Sequence, residues 1–158
     1  MFVEAHSTLP MAAEVARAAV EHALAGHALQ RHSADAVAAG LDLALTVGPR
    51  SGPLAKEVLA HTLETRRVGS TYVIPLRWEA TGPTSRLYPA LDANIGITPV
   101  DESTSVLSVI GTYTPPLGVI GTTLDRAAMS RLATATLDAF LGRLAAEATA
   151  APTRAETA

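Results

Sequence analysis

The chain has 158 residues, is 48% hydrophobic and 17% charged, and carries a net charge of −3 with no cysteine. That length suits one domain with a real core, and the missing thiols exclude disulfides, thiolate metal ligation and cysteine nucleophiles. Basic residues do not cluster beyond the Arg66–Arg67 pair, which leaves no stripe for nucleic acid, and no apolar run reaches the roughly 18–20 residues of a membrane span.

The first residues, MFVEAHSTLP, have Glu4 and no basic flank, unlike a secretory leader; the expected home is the cytoplasm. Phe2, Glu4 and His6 alternate with Val3 and Ala5, the pattern of a short strand. Thr8 offers a cap hydroxyl and Pro10 fits a first helical turn, so a helix is expected from there to Gly26. Glu14, Arg17 and Glu21 form its polar stripe, and Met11, Val15, Ala19 and His22 its oily face. Residues 27–33 read as a linker. Ser33 can cap a second helix, in which Ala36, Val37, Leu41 and Leu45 recur at helical intervals. The segment 41–48, LDLALTVG, reads either as that helix's end or as a further strand.

After VGPRSGP (47–53) the period changes from 3.6 to 2. EVLAHTLETR is the first strand of an antiparallel meander and turns at Gly69–Ser70. In TYVIPLRWE, Tyr72, Ile74, Leu76 and Trp78 share one face, with Arg77 and Glu79 on the other. Pro75 has no N–H to give, so an edge or a bulge is expected there. In LYPALDANIGIT, Leu87, Leu91, Ala93, Ile95 and Ile97 point one way and Asp92, Asn94 and Thr98 the other. VDEST turns the chain, and SVLSVIGTYT is the last strand. Arg77, Glu79 and Asp92 then fall on the outer face, as cross-strand charge pairs.

From Gly118 to Ala148 a single helical pattern sets Ile120, Leu124, Ala128, Leu132, Thr136, Phe140 and Leu144 in one row, widened by Leu137 and Leu141. The expected organisation is one domain, 1–148, with a mobile tail over 149–158. The junction YTPPLGVIGTTLDR (113–126) places glycines at the helix start. A phosphate loop needs two glycines with four residues between them, followed by Lys and Ser or Thr; here Gly118 and Gly121 are three apart with no lysine nearby. A dinucleotide site needs a parallel sheet. The stretch therefore reads as a hinge.

This order of elements resembles the START/SRPBCC superfamily, the helix-grip fold shared by the birch-pollen allergen, polyketide cyclases and lipid-transfer domains, and in particular its short actinobacterial members. The resemblance rests on VIPLRWEATGPTSRLYPALDANIGITPV (73–100) and GTYTPPLGVIGTTLDRAAMSRLATATLDAFL (111–141) and extends through about Leu144. It implies an α+β fold in which a curved antiparallel sheet of five to seven strands wraps around a long C-terminal helix, with two short helices after the first strand. Five strands are placed here. It also implies a cavity between sheet and helix, mostly apolar with a few orienting polar groups. The superfamily has no universal catalytic motif, and no catalytic residue is carried over.

The expected lining is Tyr72, Ile74, Trp78, Leu91, Ile95, Leu107, Val109, Tyr113, Leu124, Leu132 and Phe140, all of which also suit an ordinary core. With only six aromatics in the chain, much of the apolar content is small. His61 shares a face with Leu59 and Leu63 and is the expected inward histidine. His22, His27 and His32 are spaced by five rather than four, and His6 and His61 lie on separate strands, so no metal site is expected. The family likeness thus implies a carrier or sensor for a small hydrophobic molecule (lipid, quinone or polyketide-like), without cofactor, as monomer or homodimer. Two other readings stand beside it: a cyclase/aromatase-like enzyme using His61, Tyr72 or Tyr113, and an interaction protein whose cavity has closed.

Overall fold

The computed structural model describes residues 1–25, 31–33, 35, 58–80, 90–114 and 126–150. In chain order its elements are β1 (Phe2–Leu9), α1 (Ala13–Ala23), β2 (Val58–Thr62), β3 (Arg66–Val68), β4 (Thr71–Ala80), β5 (Ala90–Pro99), β6 (Ser105–Thr114) and α2 (Arg126–Ala150). Residues 31–33 and 35 are also helical. The strands form one sheet in the order β1-β6-β5-β4-β2, with β3 beside β4, and every pairing is antiparallel.

Alternation decides which face is covered. Val3, Ala5 and Leu9 of β1, Ile74, Leu76 and Trp78 of β4, Leu91, Ala93, Ile95 and Ile97 of β5, and Leu107, Val109 and Tyr113 of β6 are buried. Their sequence neighbours Glu4, His6, Arg77, Glu79, Asp92 and Asn94 are exposed. Arg77 and Asp92 stand directly opposite in the register and pair on the outer face, the expected cross-strand arrangement.

α2 covers the inner face. Leu132, Ala133, Thr136, Leu137, Phe140, Leu141, Leu144 and Ala148 are buried, recurring at i, i+1, i+4 and i+5, which draws one stripe along a helix. That stripe lies across β1 and β6 and against α1. Each large side chain so buried contributes about 1.5–3 kcal/mol of transfer free energy. A six-stranded antiparallel sheet holding the C-terminal helix on one face, with short helices after β1, is the helix-grip architecture.

The expected first strand of the meander is two. Thr62 pairs with Leu76 and Arg66 with Val73, so residues 63–65 oppose only Ile74 and Pro75: a bulge with one extra residue. Leu63 N–H donates to the Pro75 carbonyl at 3.0 Å. In an antiparallel pair a residue's N–H and C=O face the same neighbour, so the donor that proline lacks is missing at the bulge. β4 keeps neighbours on both sides, and the bulge alone meets the expectation.

Four details differ from the sequence reading. Thr8 is in β1, paired with Val106, so α1 starts at Ala13 behind Ala12, without a side-chain cap. The buried face of α1 is Ala13, Ala16, Val20 and Ala23, while Val15 is 38% exposed and His22 is exposed. The reason is that the stripe of Glu14, Arg17 and Glu21 faces the β3–β4 hairpin rather than open solvent. The core direction therefore lies roughly a quarter to a third of a turn from it. Residues 31–33, expected as linker and cap, are helical, and Ser33 is buried within them. α2 runs on through 149–150, into the expected tail. The rest of the second helix, segment 41–48, the 113–126 junction beyond Thr114 and residues 151–158 lie outside the described residues.

Candidate functional site: the sheet–helix interior and an outer cleft

The strand register stacks the inner residues in cross-strand rows. Ala60, Trp78, Leu91 and Tyr113 form one row, through the pairs Ala60↔Trp78, Trp78↔Leu91 and Leu91↔Tyr113. Ile74, Ile95, Val109 and Ala5 form another. Facing them, α2 brings Leu132, Thr136 and Phe140 at successive i, i+4 positions. Trp78 and Phe140 meet edge to face with centroids 5.4 Å apart. Nine of the expected lining residues, Ile74, Trp78, Leu91, Ile95, Leu107, Val109, Tyr113, Leu132 and Phe140, thus converge in one interior, each 2% exposed or less.

Few polar atoms enter it. Thr136 is one source, its hydroxyl donating to the Leu132 carbonyl at 2.8 Å, and the phenol of Tyr113 is another. Burial pushes the Tyr113 phenol up to about 12, against a smaller downward pull from Thr136. The indole Nε1–H of Trp78 is buried and has no acceptor among the described residues. A buried donor left unmade costs about 1–3 kcal/mol; the buried hydroxyls of Ser33 and Ser105 share that state, and Trp78 is the one that stands in the row facing Phe140.

Two expected residues are not part of this group. His61 is exposed. Ala60 is the residue paired with Trp78 on the inner face, and His61, paired with Arg77, points outward. Tyr72 is half-buried at the margin, its hydroxyl donating to Glu14. Leu124 lies outside the described residues.

Tyr72 belongs instead to a site the sequence did not reveal. An open cleft of about 480 Å³ between α1 and the β3–β4 hairpin is lined by Glu14, Arg17, Glu21, Glu64, Thr65, Arg66, Arg67 and Tyr72. Arg17 donates to Glu14 and to Glu21, both at 2.8 Å. Thr65 Oγ1 donates to the other Glu21 oxygen at 2.6 Å. The guanidinium carbons of Arg17 and Arg67 each lie 5.5 Å from the Tyr72 ring centroid, within cation–π range. The Tyr72 hydroxyl, then Arg17, hold the Glu14 carboxyl below its usual range, and Glu14 in turn raises the Tyr72 phenol. The i, i+3, i+7 spacing of Glu14, Arg17 and Glu21 was the available signal. It could not show partners 44 and 58 positions away.

A second pair of contacts fastens the helical residues after α1 to α2: His32 Nε2 lies 2.7 Å from Glu147 Oε2, and Arg143 Nη1 lies 3.2 Å from Asp35 Oδ2. No helix among the described residues is long and apolar enough to cross a membrane.

No family model matches the chain, and no curated protein matches it. Among solved structures it is similar to a conserved protein of Geobacillus kaustophilus, at 10% identity over 94% of this chain and 95% of that one, with a TM-score of 0.50. A protein of Thermus thermophilus matches at 14% identity over 96% and 99%, TM-score 0.45. An aromatase/cyclase of a Streptomyces species matches at 14% identity over 91% and 93%, TM-score 0.35. Identities this low speak to the fold, which the Geobacillus protein shares along nearly its whole length.

Proposed function

We propose that this protein is a START/SRPBCC-like binding protein that holds a small hydrophobic molecule, of the lipid, quinone or polyketide type, between its sheet and α2. The observation that supports the reading best is the buried indole N–H of Trp78, without a protein acceptor among the described residues and set among apolar side chains. A ligand oxygen beside that donor would complete it, and the surrounding Leu91, Ile95, Val109, Leu132 and Phe140 would receive the apolar remainder. Carriage suits the residues better than proton transfer. Of the three side chains considered for chemistry, His61 is on the outer face, Tyr72 is bonded to Glu14, and Tyr113 is held protonated far above neutrality.

Trp78 is the chain's one tryptophan, so its emission is a private reporter of the interior. The test is native mass spectrometry with extraction of whatever co-purifies, followed by fluorescence titration with a panel of fatty acids and quinones. A stoichiometric apolar adduct, or a saturable change in Trp78 emission, is expected. Bare protein whose emission no panel member alters in a saturable way would leave a closed, solid core and remove the binding reading.

A further inference from the structure

We propose that the outer cleft between α1 and the β3–β4 hairpin is a second binding site, for a small molecule bearing an oxyanion, with Arg67 as its anchoring residue. The cleft is lined by three carboxylates and three guanidiniums, but they are not equally free. Glu14 accepts from Arg17 and Tyr72, and Glu21 accepts from Arg17 and Thr65. Both carboxylates and Arg17 are therefore committed to holding α1 on the hairpin. Among the described residues Arg66 and Glu64 have no ion-pair partner, and Arg67 uses only its Nε, which donates to the Gly69 carbonyl at 3.1 Å. The uncommitted groups are thus two cations and one anion; the cleft is neutral as a whole, and its free hydrogen-bond donors are those of the arginine pair.

Arg67 is also preorganised. Its Nε is fixed to the turn carbonyl and its guanidinium lies over the Tyr72 ring. The two terminal nitrogens remain for a ligand, and together they make the planar fork that fits a carboxylate or a phosphate with two parallel hydrogen bonds. A side chain held this way loses little rotamer freedom on binding, which raises affinity per hydrogen bond. Arg66, the next residue along β3, adds charge at the same cleft, while the Glu64 carboxylate opposes it and favours compact anions over polyanions. The site is separate from the sheet–helix interior, and either can be occupied without the other.

The test follows the arginine side-chain Nε–Hε signals by NMR during titration with inorganic phosphate and, separately, with succinate, against sodium chloride at matched ionic strength. Saturable shifts of Arg67 and of backbone amides in 64–72 are expected with at least one oxyanion and not with chloride; the better probe tells phosphate from carboxylate. Arg67→Gln is expected to weaken binding about tenfold or more, the loss of a charge-assisted pair, while Arg77→Gln on the outer face of β4 leaves it unchanged. Should Arg67→Gln unfold, Arg67→Lys keeps the charge but not the fork and is expected to bind several-fold more weakly. Shifts no larger than chloride gives, or full affinity in a folded Arg67 variant, would overturn the assignment.

Discussion

The indole of Trp78 on β4 stands edge-on to the ring of Phe140 on α2, with centroids 5.4 Å apart and planes inclined at 74°. Both rings are 0% exposed, so this one contact joins β4, toward the far side of the sheet from β1, to the middle of the helix that covers it. Phe140→Ala removes the partner and opens a void, and a loss of about 3–5 kcal/mol is expected. Phe140→Leu keeps most of the volume and should cost markedly less. Urea denaturation gives the stability, and Trp78 emission gives the local effect, moving to the red as water reaches the indole in the alanine variant. An alanine variant as stable as the parent would show that the rings do not bear on one another.

Alkaline pH should loosen the same interior. Burial raises the Tyr113 phenol to about 12 in the folded protein, above its ordinary value of 10.0. The folded state therefore favours the protonated phenol, so its contribution is complete below pH 10 and is lost as pH rises toward 12. The loss is on the order of 2–3 kcal/mol. Tyr113→Phe cannot titrate at that position, so its stability should fall less steeply than the parent's over this range. Parallel stability curves for the two proteins between pH 9.5 and about 12 would contradict this.

Acid should act at the outer cleft. The Tyr72 hydroxyl and Arg17 lower the Glu14 carboxyl, so what Glu14 contributes is present above the usual carboxylate range and disappears as pH falls through its depressed value. Tyr72 is raised by the same bond, and its share is present below its ordinary value and lost above it. α1 is thus held to the hairpin between these limits. Amide exchange in α1 is expected to quicken below the carboxylate range in the parent and to be quick already at neutral pH in Glu14→Gln. Exchange that is indifferent to both changes would mean that buried Ala16 and Val20 hold the helix without help.

Two glycines should respond differently to the same methyl group. Gly111 pairs with Ala93, and a Cβ there would fall 2.3 Å from the Asp92 carbonyl oxygen and 2.4 Å from Ala93 Cα. Backbone cannot swing aside as a side chain can, so Gly111→Ala must spread β5 from β6, at about 1–3 kcal/mol or more. Gly69 has open space around it but a φ of +62°, a left-handed turn position that costs an alanine about 1–2 kcal/mol. Denaturation should therefore show both variants weakened. Only Gly111→Ala should also shift amide signals in both β5 and β6, and unchanged spectra there would refute the close-approach explanation.

The alternation of Ile74, Leu76 and Trp78 with Arg77 and Glu79, the odd-numbered row of β5, and the i, i+4 recurrence of Leu132, Thr136, Phe140 and Leu144 were all legible in the sequence. They follow from periods of 2 and 3.6, which are properties of the local backbone. Pro75 announced its bulge for the same reason, since a missing N–H is a local fact. From these came the helix-grip order and, of the eleven expected lining residues that are described, nine in one interior. What only the tertiary structure decided are relations between distant positions. His61 faces out because its strand registers Ala60 against Trp78, and the alternation of β2 alone could not say which side of it would be covered. α1 buries Ala16 and Val20 rather than Val15 because Thr65 and Tyr72, far along the chain, take its polar stripe as a partner. Periodicity fixes which residues travel together on a face; contact with a particular neighbour fixes where that face points.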